Sequence, residues 1–351
     1  MKEKAVVQSV AGRKIRKYIL AGTGLAAGYA FAKSSAKRQA ESEINAIAEK
    51  SFSVNEVYAR SVPPVRAEET IMRRPVKVLI VGVGSYIGEN IKRHLLKREG
   101  YEMDTLDAYD LKPQPRMFEL YDAVFFAAGI AHRKETKENA HLYYEVNRDL
   151  AVRTAEAAKS AGVPHFIVLS SMSVYGMETG RITKDTKACP KSHYGKSKLQ
   201  ADERIWSLRD EKFRVAVLRP PMVYGKGCRG NYQPLRKLAL LAPVFPRVDN
   251  ERSMIYIGNL CAFVEKVLEK RLEGIFFPQN GEYVNTCSLA ARIAAANGKR
   301  MRQTRIFNPV IGRLHLKTAE KLFGSLTYES VDAVHECGFE DSVSMTESSI
   351  V

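Results

Sequence analysis

Val76-Lys77-Val78-Leu79-Ile80-Val81 runs directly into Gly82-Val83-Gly84-Ser85-Tyr86-Ile87-Gly88. The first six residues are mostly apolar and β-branched, the composition of a strand buried on both faces of a parallel sheet. An amphipathic stretch follows through Lys97. Strand, glycine-rich turn and helix in this order bring backbone N–H groups and the positive end of a helix onto a pyrophosphate. A second predicted strand, Met103 to Leu106, ends at Asp107, nineteen residues beyond Gly88. A carboxylate there accepts both ribose hydroxyls of an adenosine and repels an added 2′-phosphate, so NAD is expected over NADP. Asp104 and Asp110 compete for that contact, and a plain surface role is the alternative for all three acids.

Further along, Ala123 to Ala128 followed by Gly129 reads as a strand closing over the cofactor. A helix around Tyr143 to Ser160 and a strand at Phe166 to Leu169 follow. Only twelve residues separate Asp110 from Ala123, with Pro113 and Pro115 among them, so an extra strand and crossover would be cramped and an abbreviated sheet is expected there.

Tyr194 and Lys198 are four apart on a predicted helix and therefore share a face. A lysine beside a phenol stabilises the phenolate, and the tyrosine then exchanges a proton with a hydroxyl or ketone while hydride moves to or from a nicotinamide. The pair alone is common by chance. Its weight comes from Ser170-Ser171-Met172-Ser173-Val174-Tyr175-Gly176 at the end of the preceding strand, where a hydroxyl can bind the reacting oxygen.

Together these motifs resemble the extended short-chain dehydrogenase/reductase family, in its NAD-dependent epimerase/dehydratase group, close to bacterial UDP-glucose 4-epimerases and nucleotide-sugar 4-ketoreductases. The resemblance runs from Val76 to the C-terminus, roughly four-fifths of the chain. It includes Phe125 to Gly129, Asn147 in Tyr-Glu-Val-Asn-Arg-Asp, and Arg219-Pro220-Pro221. It implies a Rossmann-like α/β fold, a doubly wound parallel sheet with a smaller C-terminal substrate lobe. The cofactor contacts implied are Gly82, Gly84, Ser85, Ile87, Gly88, Asp107, Ala127, Ala128, Gly129, Asn147, Lys198 and Pro221, with Asn147 acting on the cofactor side or as a helix support. Ser171 is the implied hydroxyl partner, Tyr194 the acid/base and Lys198 its electrostatic partner. Arg252 matches the position that grips a nucleotide diphosphate, although a solvated turn arginine is the alternative. Met222 and Asn231 complete the implied substrate contacts, with Gly230 and Tyr232 along the same groove.

Three departures narrow the reading. Ser85 stands where the family has its middle glycine, and Met222 where the 4-epimerase has a substrate-binding asparagine. Met172 and Ser173 follow Ser171 where sugar dehydratases carry Asp-Glu, so the acid and base for eliminating water are missing. C4 epimerisation of a UDP-sugar through a transient 4-keto sugar is the leading expectation. Reduction of a UDP-4-keto sugar by NADH or NADPH uses the same residues once and stays open, and a scaffold that binds dinucleotide without catalysis is a third reading. His132, His141 and His193 are dispersed, so no metal is expected, and His193 beside Tyr194 reads as helix surface.

The boundaries expected are 1–74 for a basic N-terminal extension, helical or disordered, 75–219 for the NAD-binding part, and 220–351 for a partly interleaved substrate lobe. Helices are expected there at Asn259 to Arg271, Thr286 to Asn297 and Tyr328 to Cys337. Tyr18 to Ala32 is uncharged and flanked by Arg13, Lys14, Arg16 and Lys17 before and Lys33, Lys37 and Arg38 after. At 15 residues it falls short of a comfortable span, for which about 20 are needed. A membrane-associated anchor, a helical or poorly ordered appendage and a cleaved signal are the competing readings. Ser34 to Lys50 reads as a polar helix and Ser51 to Arg74 as a linker.

Of 351 residues, 45% are hydrophobic and 27% charged, which excludes a fibrous or multi-span protein. The net charge of +16 is shared between +7 in the first 75 residues and +9 in the rest. No zinc-finger spacing or aromatic binding module accompanies it, so nucleic acid is not an expected partner. Five scattered cysteines suit buried, reduced thiols and a cytoplasmic setting, at the membrane's inner face if residues 18–32 anchor there. A homodimer is what the resemblance implies.

Overall fold

The computed structural model describes residues 74–348, apart from 132, 307, 309–320, 330 and 331. The expected features at 18–32 and 34–50, His132, and nearly all of the 51–74 linker lie outside the described residues.

Six parallel strands form the central sheet: β1 (Val76–Val81), β2 (Tyr101–Leu106), β3 (Ala123–Phe126), β4 (His165–Leu169), β6 (Arg214–Leu218) and β10 (Gly274–Phe276), in the order β10-β6-β4-β3-β1-β2. Strand β5 (Gly180–Ile182) lies outside it and pairs with β13 (Leu326–Tyr328). From β1 the chain moves outward to β2 and then back across to β3, so the strand order reverses beside β1. That reversal opens a crevice at the carboxyl ends of β1 and β3. Among the described residues no strand pairs beyond β2: the chain from Asp107 to Asp122 makes a short 3₁₀ turn at Pro115–Met117 and returns as β3. The expected abbreviation is therefore real.

Alternate residues of β1 serve two cores. Val78 and Ile80 pack with Ile91 and Leu95 of α1 (Tyr86–Leu95) and with Leu260, Phe263, Val264 and Val267 of α6 (Ile257–Glu269). Leu79 and Val81 pack with Ala151, Ala155 and Ala158 of α3 (Ala151–Ser160) and with Ala201 and Ile205 of α4 (His193–Ser207). Burial of both faces explains why these strands read as continuous apolar runs rather than alternating ones. Helix α2 (Ala140–Tyr144) joins α3 through a π-helical turn at Glu145–Leu150.

The C-terminal part adds short paired strands. These are β7 (Met222–Tyr224) with β9 (Met254–Tyr256), β8 (Val244–Pro246) with β12 (Arg302–Thr304), and β11 (Gln279–Asn280) with β14 (Ala333–Val334). They pack with α5 (Tyr232–Leu241), α7 (Thr286–Ala296) and α8 (Phe339–Glu347).

Several expectations need correction. The helix expected at Tyr328 to Cys337 does not form. Tyr328 ends β13 with its ring stacked on Phe277, Ala333–Val334 pair with β11, and the helix begins only after Gly338. Strand β2 starts at Tyr101, and β3 stops at Phe126. Cys228, Cys261 and Cys287 are buried as expected, but Cys189 is exposed and Cys337 only partly covered. At Cys189 it is the carbonyl that packs inward, against Gly176, which leaves the thiol outside. Tyr232 is a core residue rather than a groove residue, stacked on Tyr224 with its hydroxyl donating to Glu347 at 2.8 Å.

Candidate active site

The glycine turn is shaped by contact with the end of β3. Gly82 takes φ +124, and a Cβ there would stand 2.8 Å from the Ala128 amide nitrogen. Gly84 takes φ +71 with open space around it, and its N–H donates to Glu89 Oε1 at 3.3 Å. Ser85 explains its own departure from the glycine pattern. It has ordinary extended backbone, φ −65, and caps α1 by accepting from Gly88 N at 3.3 Å while donating to Ala127 O. Gly88 closes the fit, with Ile80 and Ala127 side-chain atoms 3.1 and 3.3 Å from where a Cβ would sit. Backbone without side chains, beside a helix N-terminus, is what a pyrophosphate needs. These residues fit a dinucleotide.

Asp107 follows β2 and is exposed, its Oδ1 accepting from Tyr109 N at 3.0 Å. Of its rivals, Asp104 accepts from the Tyr121 hydroxyl at 3.0 Å, and Asp110 lies in the turn that follows, in left-handed backbone at φ 51. Asn147, in the π-helical turn and fully buried, accepts from Ile130 N at 2.7 Å and donates to Ile130 O and Ser197 Oγ. It thereby shapes the Ala127-Ala128-Gly129 exit and supports α4. Of its two expected roles, the support is the one its bonds describe.

Tyr194, Lys198 and Asp202 follow one another at four-residue spacing along α4. Lys198 is 4% exposed, and its ammonium donates to Leu169 O, at the end of β4, at 2.8 Å. It also stands 3.2 Å from where a Cβ on Gly129 would be, so that glycine leaves room for it. Burial pulls the Lys198 pKa down to about 8, against the pull of Asp202. Burial likewise raises Tyr194, with the nearby Ser171 hydroxyl opposing the rise and Asp202 and Tyr143 adding to it. Ser171 caps the 3₁₀ turn Met172–Tyr175 and lies 2.5 Å from Ser173 Oγ. The structure thus brings Ser171, Tyr194 and Lys198 to one place, at the carboxyl end of the sheet.

Three neighbours escaped sequence reasoning. Ser173 adds a second hydroxyl beside Ser171, and its place two residues on was a readable signal. Asp202 is 2% exposed and takes Ser170 Oγ at 2.7 Å and Arg219 Nε at 3.0 Å on the same oxygen. Its place one turn after Lys198 was a readable signal too. Burial pushes its pKa up to about 6 against those partners. Glu135 bonds the first turn of α4 from 58 residues away, and no local pattern announces it. His193, read as helix surface, is half-covered, and its Nδ1 lies 3.1 Å from the Tyr144 hydroxyl.

Of the other expected contacts, Pro221 is buried and Met222 opens β7 half-covered, while Asn231 is exposed before α5. Arg252 is half-buried, exchanges backbone bonds with Val284, and donates from Nη1 to Gly324 O at 2.7 Å. Burial lowers its pKa against the pull of Glu178. It adjoins a cavity of about 500 Å³ lined by Asp249, Asn250, Glu251, Tyr283, Asn285 and Ser325.

A strand-order reversal, a glycine cradle and a Ser-Tyr-Lys set define a dinucleotide-dependent enzyme of the isomerase or oxidoreductase class. The chain belongs to the NAD dependent epimerase/dehydratase family, whose sequence pattern matches residues 78–274. The cofactor that goes with this family is NAD. The chain is similar to a UDP-glucose 4-epimerase of Vibrio cholerae, 28% identical over 255 residues, which covers 65% of this chain and 77% of that protein. It is also similar to a UDP-2-acetamido-2,6-beta-L-arabino-hexul-4-ose reductase of Pseudomonas aeruginosa, 25% identical across 56% of this chain and 50% of that one. Among solved structures, a UDP-glucuronic acid 4-epimerase of Bacillus cereus in complex with NAD superposes with a TM-score of 0.62. At 17% identity, over 78% of this chain and 97% of that one, it speaks to the fold.

Among the described residues, no helix is long and apolar enough to cross a membrane.

Proposed function

We propose that the protein is a nucleotide-sugar epimerase acting at C4 of a UDP-sugar through a transient 4-keto sugar. The observation that carries this reading is the placement of Tyr194, Lys198 and Ser171 together at the carboxyl end of the sheet that holds the glycine cradle. The cradle at Gly82 to Gly88, Asp107 and the Ala127 to Gly129 exit would hold NAD, which supplies a hydride acceptor and donor when bound. Tyr194 Oη takes the proton of the sugar hydroxyl as the carbinol is oxidised and returns it when the ketone is reduced. Ser171 orients the reacting oxygen by hydrogen bonding, and the Lys198 ammonium stabilises the tyrosinate. Arg252 is assigned to the diphosphate. UDP-sugars are chosen because the similar epimerase and reductase are both named for UDP-linked substrates.

The reductase reading shares every one of these residues and is favoured by the similarity to the Pseudomonas reductase. Product analysis on a panel of UDP-sugars and UDP-4-keto sugars, with and without NADH, separates the two. Interconverted C4 epimers without net NADH use support the epimerase, whereas stoichiometric NADH loss with only a keto sugar reduced overturns it in favour of the reductase. A homodimer and a membrane contact through residues 18–32 belong to the same proposal, with sedimentation and vesicle flotation of the full chain as their tests.

A further inference from the structure

The helix that carries Tyr194 has every amide of its first turn occupied. Ser192 Oγ accepts from Gly195 N at 3.0 Å, and Ser192 O accepts from Lys196 N at 2.9 Å. The two remaining amides, His193 N and Tyr194 N, donate to Glu135, at 3.0 Å to Oε2 and 2.9 Å to Oε1. A single carboxylate thus spans the backbone of the acid/base residue and the residue before it. Glu135 lies in the loop that continues from Gly129 and Ile130. That loop is braced by Asn139, which accepts from Thr136 N at 2.9 Å and donates to Lys134 O at 3.0 Å. Arg133 O in turn accepts from the Tyr143 hydroxyl at 3.1 Å, and Tyr143 meets the Tyr194 ring edge-on with centroids 6.5 Å apart.

We propose that Glu135 is a positioning residue for Tyr194, tying the catalytic helix to the cofactor-side loop and masking the positive end of that helix beneath the phenol. The inference rests on Tyr194 being the acid/base of the reaction proposed above. A helix N-terminus stabilises a nearby negative charge, and an anion placed on it cancels that help. With Glu135 in place the tyrosinate depends on Lys198 and Ser171. The other groups acting on Tyr194 are Asp202 on its own helix, with Arg219 behind it, and Tyr143 on α2, while His193 and Tyr144 pair with each other.

The test follows the Tyr194 phenol by NMR in the full-length protein carrying [13Cζ]tyrosine, with Tyr194→Phe identifying its resonance. Glu135→Gln keeps an acceptor for one amide and removes the charge, whereas Glu135→Asp keeps the charge and alters the reach. The expected result is a titration moved down by about 0.5 unit in Glu135→Gln and left in place in Glu135→Asp. Both variants should bind NAD like the parent, and kcat should fall with KM nearly unchanged. An unmoved titration in Glu135→Gln, or equal shifts in the two variants, overturns the proposal, because equal shifts mean loosened packing alone. The titration needs no substrate. If it moves while no sugar nucleotide is turned over, the proposed reaction fails and the role of Glu135 stands.

Discussion

Arg219 donates to Asp202 at 3.0 Å, with both side chains buried and the carboxylate one turn beyond Lys198 on α4. The pair fixes the rear of the active site. Arg219 also donates to the Tyr175 hydroxyl at 2.9 Å, and its own carbonyl accepts from the Tyr328 hydroxyl. The field of Asp202 reaches forward to Lys198, where it opposes the fall in pKa that burial causes.

Asp202→Asn removes that field and leaves Arg219 without a counter-charge. Breaking a buried ion pair from one side costs about 3–5 kcal/mol, so the urea midpoint should drop sharply. With Asp202 no longer opposing the effect of burial, Lys198 should lose its proton at lower pH, and the alkaline limb of turnover should move down with it. A pH profile with that limb unmoved would separate Asp202 from the chemistry and leave it a purely structural role.

Gly82 and Gly84 should respond differently to alanine. At Gly82 the methyl would meet Ala128 backbone and φ +124 would be strained. Gly82→Ala is therefore expected to cost about 2–3 kcal/mol and to abolish dinucleotide binding. At Gly84 only the φ of +71 is unfavourable, since nothing stands nearby. Gly84→Ala should cost about 1 kcal/mol and retain a measurable Kd. Calorimetric titration with NAD on both variants checks the order, and equal losses would contradict the contact argument.

What could be read in advance was what local pattern encodes. Val76 to Val81 is apolar throughout because both faces of β1 are buried, and Tyr194 and Lys198 meet because a helix repeats at that spacing. The twelve residues between Asp110 and Ala123 were too few for a strand and crossover, and the sheet is short there. Long-range partners were not legible. Glu135 reaches Tyr194 across 59 residues of sequence, and nothing in Lys-Glu-Thr marks it. The error at Tyr328 to Cys337 has the same origin: stacking on Phe277 and pairing with β11 override the local helical pattern.

Asp107 is exposed and spends one oxygen on the Tyr109 amide. Its charge, more than its shape, should exclude NADP. In Asp107→Asn the ratio of Kd for NADP to Kd for NAD is expected to fall about tenfold, the equivalent of ~1.4 kcal/mol of relieved repulsion. Fluorescence titration with both cofactors reads the ratio, and an unchanged value would place the discrimination elsewhere in the cradle.

His165 opens β4 in the buried part of the sheet, with its Nε2 3.1 Å from Leu272 O. Burial drives its pKa down to about 4, Leu272 O opposes the fall, and Arg214 and Arg271 add to it. The folded pKa thus lies below the unfolded value. The stabilisation from a neutral His165 is complete above about pH 6.5 and disappears as the pH falls through about 4. Up to ~3 kcal/mol is at stake over that window. His165→Gln, which keeps a neutral donor for Leu272 O, should flatten the loss of stability between pH 7 and 4.5 even if it lowers stability at pH 7. Urea midpoints at the two pH values measure it. Parallel losses in the variant and the parent would assign the acid sensitivity to other groups.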